Sequence, residues 1–194
     1  MSNIELIVVD DRTRPLVQHL RYRVYCAEKQ FAMKGADHEA RMLYDETDTL
    51  GVTFALFDGA ELVSSAQVIP VDPLQAPERF SVFDLRHALP RPDHGAVIVS
   101  KLVTAPDRRG SKTLGPVMRA ILDFVAQENR RYIAILAEPS MREFYASMGF
   151  DVMKEGIEAA PFGTVALMVF DMRDERHTSG KSLAGWMFKS VFSR

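Results

Sequence analysis

A short basic loop is the stretch whose residue types point most directly to chemistry. The loop consists of Arg108, Arg109, Gly110, Ser111 and Lys112. An apolar run over residues 96–104 precedes it, and an amphipathic helical pattern begins at Thr113. The first N–H groups of a helix are unpaired and lie at the positive end of its dipole, so this order is typical of an anion site. The loop therefore predicts a phosphate or pyrophosphate site, or otherwise a solvated basic turn.

Two aspartates form a second candidate site in a polar segment. Asp45 and Asp48 are three residues apart, so in a turn they can face one pocket and bind a substrate ammonium. The same spacing also suits a helix cap or a loop salt bridge. Arg21 lies on a predicted helix and, if it faces inward, needs a carboxylate partner such as Asp45 or Asp48. The sequence leaves both interpretations open.

The apolar pattern predicts the elements that carry these side chains. Residues 4–9 indicate a strand, and Pro15 suits the first turn of a helix that runs to about Lys29. The inner face of that helix is predicted to contain Leu16, Leu20, Val24 and Ala27. Residues 52–57 and 61–70 alternate in polarity around Asp58-Gly59, which predicts a β-hairpin. The proline-rich residues 73–94 are expected to form a long surface excursion.

A strand–helix–strand unit follows. Strands over 96–104 and 132–137 flank a helix over 113–127, and such a crossover makes the two strands parallel neighbours in one sheet. A short helix is expected over 139–148, and the last strands are predicted over 150–154 and 163–170.

The predicted fold class is mixed α/β (α+β). One domain over residues 1–172 holds a central mixed, twisted sheet flanked by helices. Residues 173–194 are expected to form a polar linker and a C-terminal amphipathic helix.

Composition excludes several classes of protein. The chain has 194 residues, of which 47% are hydrophobic and 26% are charged, as in globular proteins. The formal net charge of −2 gives no general reason to expect nucleic acid as a partner. Cys26 is the only cysteine, so neither an intrachain disulfide nor a cysteine-based metal site is possible. No secretory signal or membrane span is recognised, and a cytoplasmic location is expected.

The C-terminal half resembles the GNAT acyltransferase superfamily. The order of strand, R-R-G loop, helix and strand is followed by F-Y-A-S-M-G-F over residues 144–150. The resemblance implies that the loop holds the phosphate groups or the phosphopantetheine arm of an acyl donor and that Tyr145 lies near the thioester sulfur. Counted from Arg109, the family's two loop glycines are replaced by Lys112 and Leu114, whose side chains crowd the approach to a phosphate.

The N-terminal half resembles the acyl-homoserine-lactone (autoinducer) synthases and the related long-chain N-acyl amino acid synthases. The motifs are L-R-Y-R-V-Y over 20–25, Phe31, D-E-T-D over 45–48, and V-S-K-L-V over 99–103. The resemblance implies acyl carrier protein, rather than free coenzyme A, as the acyl donor. Where the autoinducer synthases place Glu and Arg, this chain has Ile98 and Lys101. A family general base is therefore missing, and the resemblance does not assign homoserine lactone as product.

The resemblance also implies roles for individual residues. The catalytic candidates are Tyr145, Asp45, Asp48 and Ser100. The candidates for binding the acyl donor are Leu102, Val103, Arg108, Arg109, Gly110, Ser111, Lys112 and Thr113. The candidates for binding substrate are Arg21, Tyr25, Phe31 and Lys101. Within these sets, a backbone N–H near Leu102 or Val103 would polarise the thioester carbonyl, and the Tyr145 phenol would protonate the leaving thiolate.

The expected activity is therefore N-acyl transfer from an acyl carrier protein or coenzyme A thioester to an amino-acid-like amine. No permanently bound cofactor and no metal is implied. A peripheral membrane contact through the C-terminal helix is a further expectation. Two alternatives stay open: an acetyl-coenzyme-A-dependent N-acetyltransferase, and a non-catalytic protein that binds an acyl group or a partner.

Overall fold

Seven strands form one mixed sheet in the computed structural model, which describes residues 3–178. The strands are β1 (Ile4–Val8), β2 (Ala36–Asp37), β3 (Met42–Leu43), β4 (Val52–Asp58), β5 (Glu61–Val71), β6 (Ala96–Thr104), β7 (Tyr132–Ala137), β8 (Asp151–Glu158) and β9 (Thr164–Asp171). The strand order in the sheet is β1-β4-β5-β6-β7-β9-β8, and β2 pairs with β3 separately. The predicted mixed sheet is confirmed.

Helices connect these strands. The α-helices are α1 (Arg14–Arg21), α2 (Leu85–Ala88), α3 (Ser111–Gln127), α4 (Arg142–Ser147) and α5 (Glu175–Thr178). A π-helix, Tyr22–Glu28, continues α1, and short 3-10 turns lie at Glu46–Thr49, Glu78–Phe83, Pro92–His94, Pro106–Arg108 and Pro139–Met141. The predicted C-terminal amphipathic helix lies outside the described residues.

The chain divides into two compact units. The first comprises residues up to Ile69 together with Val99–Ile121, and the second comprises Pro70–Ile98 together with the described chain from Leu122 onward. In the first unit, β4 and β5 form the predicted hairpin, with Val52 opposite Val68 and Asp58 opposite Glu61. β1 pairs antiparallel with β4.

Helix α1 has its predicted proline at the N-terminus, but its buried face differs from the prediction. Leu20 and Val24 are buried as expected, whereas Leu16 is 47% exposed and Ala27 is exposed. Val17 and Arg21 are buried instead. The buried face is therefore shifted by about one residue from the predicted one. The prediction used apolar residues only, whereas the helix also buries a charged side chain.

Strand β5 is buried on both faces rather than alternating. Its polar residues Ser64, Ser65 and Gln67 are all fully buried. Ser64 donates a hydrogen bond from Oγ to the Val103 carbonyl at 2.8 Å, which satisfies one of these groups inside the first unit. A central strand needs such internal partners because water does not reach it.

The predicted parallel pairing of two strands lies in the second unit. Ala96, Val97 and Ile98 of β6 pair in parallel with Tyr132, Ile133 and Ala134 of β7. β9 lies antiparallel between β7 and β8.

The expected surface excursion over residues 73–94 is only partly correct. It folds into α2 and two 3-10 turns, and its buried apolar residues are Phe80, Phe83, Leu85 and Leu89.

Candidate active site

The acidic segment forms a short 3-10 turn that Asp45 caps. Asp45 accepts hydrogen bonds at Oδ1 from the Thr47 backbone N–H at 2.8 Å and from Thr47 Oγ1 at 2.6 Å. The Asp48 N–H donates to the Asp45 carbonyl at 3.0 Å. Local capping therefore fixes the backbone that carries both aspartates, and the predicted cap is present.

Two cations from distant parts of the first unit meet this turn. Arg21 Nη1 lies 2.5 Å from Asp48 Oδ1. Lys101 Nζ donates to Asp48 Oδ1 at 3.1 Å and to Thr47 Oγ1 at 2.8 Å, and it lies 2.9 Å from Asp45 Oδ1. Two positive and two negative charges therefore balance within one cluster, which we call the acidic-turn cluster: Arg21, Asp45, Thr47, Asp48 and Lys101.

The two aspartates are not equivalent. The side chain of Asp48 is 8% exposed and that of Asp45 is 31% exposed. Among the described residues, none bonds to Oδ2 of Asp45, whereas Oδ2 of Asp48 is buried without a partner. Asp48 is consequently suited to hold Arg21 and Lys101, and Asp45 is the carboxylate that a small cation can reach.

The cluster keeps its carboxylates ionised. Burial disfavours the charge of Asp45, but hydrogen bonds from Thr47 and the charge of Lys101 outweigh it and lower its pKa. Burial likewise opposes ionisation of Asp48, and the charges of Arg21 and Lys101 reverse the effect, so the pKa of Asp48 is also lowered. Burial and then repulsion from Arg21 lower the pKa of Lys101, against the pull of the two aspartates.

Two residues that were not predicted from the sequence, Thr47 of the cluster and Gln67 beside it, hold the charged groups in place. Thr47 connects Asp45 to Lys101 through its hydroxyl group. Gln67 of β5, which is fully buried, donates from Nε2 to the carbonyls of Thr47 and Leu50. A glutamine inside an otherwise apolar strand was a signal that could have identified it, because buried polar side chains need specific partners.

Strand β6 brings the next group of candidates into the first unit. Ser100 Oγ donates to Gln67 Oε1 at 3.4 Å. Lys101 has a φ of +52°, which interrupts regular strand geometry at the residue that enters the cluster. Leu102 is partly buried, while Val103 belongs to an apolar core with Val17, Leu20 and Val24.

Two aromatic candidates lie beside that core. The rings of Tyr25 and Phe31 have centroids 6.5 Å apart, and Tyr25 packs on the core around Val103. Both side chains are partly buried. They form an apolar surface in the first unit.

The arginines of the basic loop are engaged by carboxylates. Arg109 Nη1 and Nη2 lie 2.8 and 2.6 Å from the two carboxylate oxygens of Glu28. Arg108 Nη2 lies 2.6 Å from Glu61 Oε2, and its Nη1 lies 3.4 Å from Asp58 Oδ2. The hydrogen bond and charge of Glu28 raise the pKa of Arg109 further. An anion at this loop therefore competes with carboxylates of the protein itself.

The rest of the loop starts helix α3. Gly110 has a φ of +150°, and a Cβ built there would meet nothing within 4 Å. The helix begins at Ser111 and Lys112, and the Thr113 and Leu114 N–H groups donate to the Gly110 carbonyl. Thr113 Oγ1 donates to the Arg108 carbonyl at 2.6 Å, so its hydroxyl supports the loop. The predicted order of strand, loop and helix is present.

Tyr145 belongs to the second unit, in helix α4. Its ring makes edge-to-face contacts with Phe144 and Phe150 at centroid distances of 5.3 and 5.6 Å. Burial, followed by the charge of Glu138, raises the pKa of Tyr145 to about 12. The phenol is therefore protonated at neutral pH and can act as a hydrogen-bond donor.

Residues 3–178 contain neither a metal-binding cluster nor a membrane-spanning helix. No group of three or more His, Cys, Asp or Glu side chains there is placed to hold a metal ion. No helix in this range is long and apolar enough to cross a membrane.

The chain matches a known family over most of its length. Residues 17–171 match the family described as FeeM, N-acyl amino acid synthase FeeM. No curated protein matches the chain significantly.

Solved structures share the fold. FeeM, an N-acyl amino acid synthase from uncultured soil microbes, has a TM-score of 0.73 and 15% identity over 96% of this chain and 97% of its own. The AHL synthase LasI has a TM-score of 0.69 and 13% identity over 92% and 94% of the two chains. The CoA-dependent acyl-homoserine lactone synthase BjaI, with SAM and isopentyl-CoA, has a TM-score of 0.67 and 16% identity over 98% and 90%. The resemblance noted in the sequence is confirmed, and at these identities the structures establish the GNAT-like fold.

Proposed function

The chain belongs to the N-acyl amino acid synthase FeeM family, and on that premise we propose that it transfers an acyl chain from a thioester to the amine of an amino-acid-like acceptor. Members of this family are acyltransferases, so an enzyme of the GNAT type is the starting point. The acyl donor and the identity of the acceptor are the finer parts of the proposal.

One observation carries the assignment of the acceptor site. Asp45 has one carboxylate oxygen held by Thr47 and Lys101 and the other without a bonding partner among the described residues. Its lowered pKa keeps it ionised at neutral pH. A fixed carboxylate with a reachable oxygen binds a substrate ammonium and orients it. We therefore assign acceptor binding to Asp45, and support of that residue to Asp48, Arg21 and Lys101.

The reaction needs few further groups. The acceptor ammonium first loses one proton to solvent, after which its neutral nitrogen attacks the thioester carbonyl carbon. The C–N bond forms, the C–S bond breaks, and the nitrogen releases a second proton to solvent as the amide forms. The leaving thiolate takes up one proton, for which Tyr145 is the proposed donor because its phenol stays protonated, and solvent then returns a proton to the phenolate. A backbone N–H near Leu102 or Val103 is proposed to polarise the carbonyl.

Acyl carrier protein is the proposed donor, as the sequence motifs imply, although the acyl-homoserine lactone synthase BjaI is CoA-dependent. The pairing of Arg108 and Arg109 with Glu61 and Glu28 also supports a carrier, because a free coenzyme A pyrophosphate would have to displace those carboxylates. A carrier protein adds its own surface contacts and depends less on one phosphate site.

The experiment offers the protein acyl carrier protein and coenzyme A thioesters of several chain lengths with pooled amino acids. We expect N-acyl amino acids in the mass spectrum, formed faster from the carrier-bound donor. An acetylated product from acetyl-coenzyme A alone would indicate the N-acetyltransferase instead. If no donor gives any N-acyl product while carrier thioesters still bind, the protein is a non-catalytic binding protein.

A further inference from the structure

The side-chain amide of Gln67 connects the acidic turn to two strands of the sheet. Its Nε2 donates to the Thr47 carbonyl and, at 3.1 Å, to the Leu50 carbonyl. Its Oε1 accepts from Ser100 Oγ at 3.4 Å. Because the nitrogen faces two carbonyl acceptors, only one orientation of the amide satisfies the site.

Apart from the bond to Ser100, the hydrogen bonds of Gln67 go to the segment that carries Asp45 and Asp48, and Thr47 Oγ1 also donates to Gln67 Oε1 at 3.3 Å. The two carbonyls belong to residues at the middle and the end of the turn, and Thr47 also bonds Asp45 and Lys101. Gln67 is fully buried, so water cannot replace its hydrogen bonds. The side chain holds the backbone of the turn that carries Asp45, and Lys101 of β6 meets that turn at the Thr47 hydroxyl group.

We propose that Gln67 is a positioning residue for acceptor binding, acting through Thr47 on the carboxylate of Asp45. The inference rests on the proposed function, since it takes Asp45 as the group that binds the acceptor amine. Gln67 and Thr47 together would fix how far Asp45 and Lys101 stand apart, and hence where a substrate ammonium is held. A loosened turn would let Lys101 occupy the free oxygen of Asp45 and block the acceptor.

The test compares Gln67→Met with Gln18→Met. Methionine keeps the length of the side chain and removes its hydrogen bonds. Gln18 is also buried in the first unit, but among the described residues its side chain forms no hydrogen bond with the acidic-turn cluster, so its replacement controls for the loss of a buried amide. We expect Gln67→Met to raise the KM for the acceptor amino acid found in the pooled assay about tenfold, the effect of losing about one net hydrogen bond, with the donor KM unchanged. Equal acceptor KM values for Gln67→Met and the wild type would overturn the proposal.

A second pair of variants covers the case in which Gln67→Met does not fold. Thr47→Val removes the hydroxyl that joins Asp45 to Lys101, whereas Thr47→Ser retains it. We expect the valine variant to raise the acceptor KM and the serine variant to restore it. Similar KM values for both variants would contradict the role of the Thr47 hydroxyl group.

A readout that does not need activity separates this inference from the proposed function. The side-chain carboxyl of Asp45 can be followed by NMR during an acid titration of the wild type and of Gln67→Met or, if that does not fold, Thr47→Val. We expect its pKa to rise toward the ordinary value of 3.8 in the variant, because the Thr47 and Lys101 contacts loosen. An unchanged pKa would overturn the inference even in an active enzyme, while a wild type that forms no product would count only against the proposed function.

Discussion

The ammonium nitrogen of Lys101 lies 2.9 Å from Oδ1 of Asp45. The contact joins strand β6 to a turn that precedes it by two strands and a proline-rich segment. Lys101 makes this contact from a backbone conformation with a φ of +52°, which residues other than glycine seldom adopt. The Lys101 backbone, with its positive φ, and the partly buried Asp45 carboxylate therefore belong to one arrangement, and several measurable consequences follow from it.

Replacing each aspartate by asparagine separates support from binding. In Asp48→Asn the Arg21 guanidinium stays buried without its carboxylate, and we expect a loss of about 3 kcal/mol in the free energy of unfolding. In Asp45→Asn the loss should be below about 1 kcal/mol, because asparagine also caps well. The acceptor KM should nevertheless rise in Asp45→Asn. Urea unfolding and steady-state kinetics measure both, and equal destabilisation by the two variants would refute the distinction.

Acid should destabilise the protein through the same aspartates. Their pKa values in the folded state lie below the ordinary 3.8, so the unfolded chain binds protons first as the pH falls. The stabilisation is complete above 3.8 and is lost as the pH drops through the lower, folded-state pKa values. Urea unfolding at pH values between 7 and 3 measures it, and the decline should be shallower in Asp48→Asn. A decline of the same slope in that variant would assign the acid sensitivity to other carboxylates.

The phenol of Tyr145 should matter for rate rather than for donor binding. We expect Tyr145→Phe to lower kcat by about 100-fold, a common effect of removing a general acid, with the donor KM little changed. Tyr44→Phe, which alters an exposed tyrosine, is the matched control.

The wild-type pH profile gives a second check on Tyr145. Because the pKa of Tyr145 is raised to about 12, its ionisation should cause no loss of activity between pH 7 and 10. A Tyr145→Phe enzyme with unchanged kcat would exclude the proposed acid role.

The ion pair between Glu28 and Arg109 should compete with the acyl donor. If Arg109 binds a phosphate group of the donor, Arg109→Gln raises the donor KM, and Glu28→Gln lowers it by releasing the guanidinium. We expect changes of about tenfold and threefold, consistent with exposed charge-assisted contacts. The free energy of unfolding should change by less than about 1 kcal/mol in either variant, because the pair is exposed.

A carboxylate without an ion pair provides the control. Glu5→Gln removes an exposed carboxylate of β1 that forms no ion pair with another described residue, and it should leave the donor KM unchanged. A donor KM that rises in Glu28→Gln would show that the pair stabilises the loop rather than competing with the donor.

Local patterns accounted for most of the secondary structure. The apolar run before the basic loop became β6 over the predicted residues, and the strand at Tyr132–Ala137 was also predicted to the residue. Asp58-Gly59 marked the hairpin, and the helical period from Thr113 marked α3. The apolar periodicity did not predict the buried faces of two elements, because polar side chains are buried there. Helix α1 buries Arg21 in place of Leu16, and β5 buries Gln67 among its apolar residues.

The sequence by itself determined the acyltransferase family, the mixed sheet with its crossover, and the residue types available to the site. These features follow from the spacing of residues that are close in the chain, because hydrogen bonding within helices and hairpins imposes a regular pattern of apolar and turn residues. Only the tertiary structure decided that Asp48 is the buried aspartate and Asp45 the reachable one, that Thr47 and Gln67 complete the network, and that Arg108 and Arg109 are already paired. Those outcomes depend on contacts between residues far apart in the chain and on how much water each contact excludes, and neither quantity is encoded in local spacing.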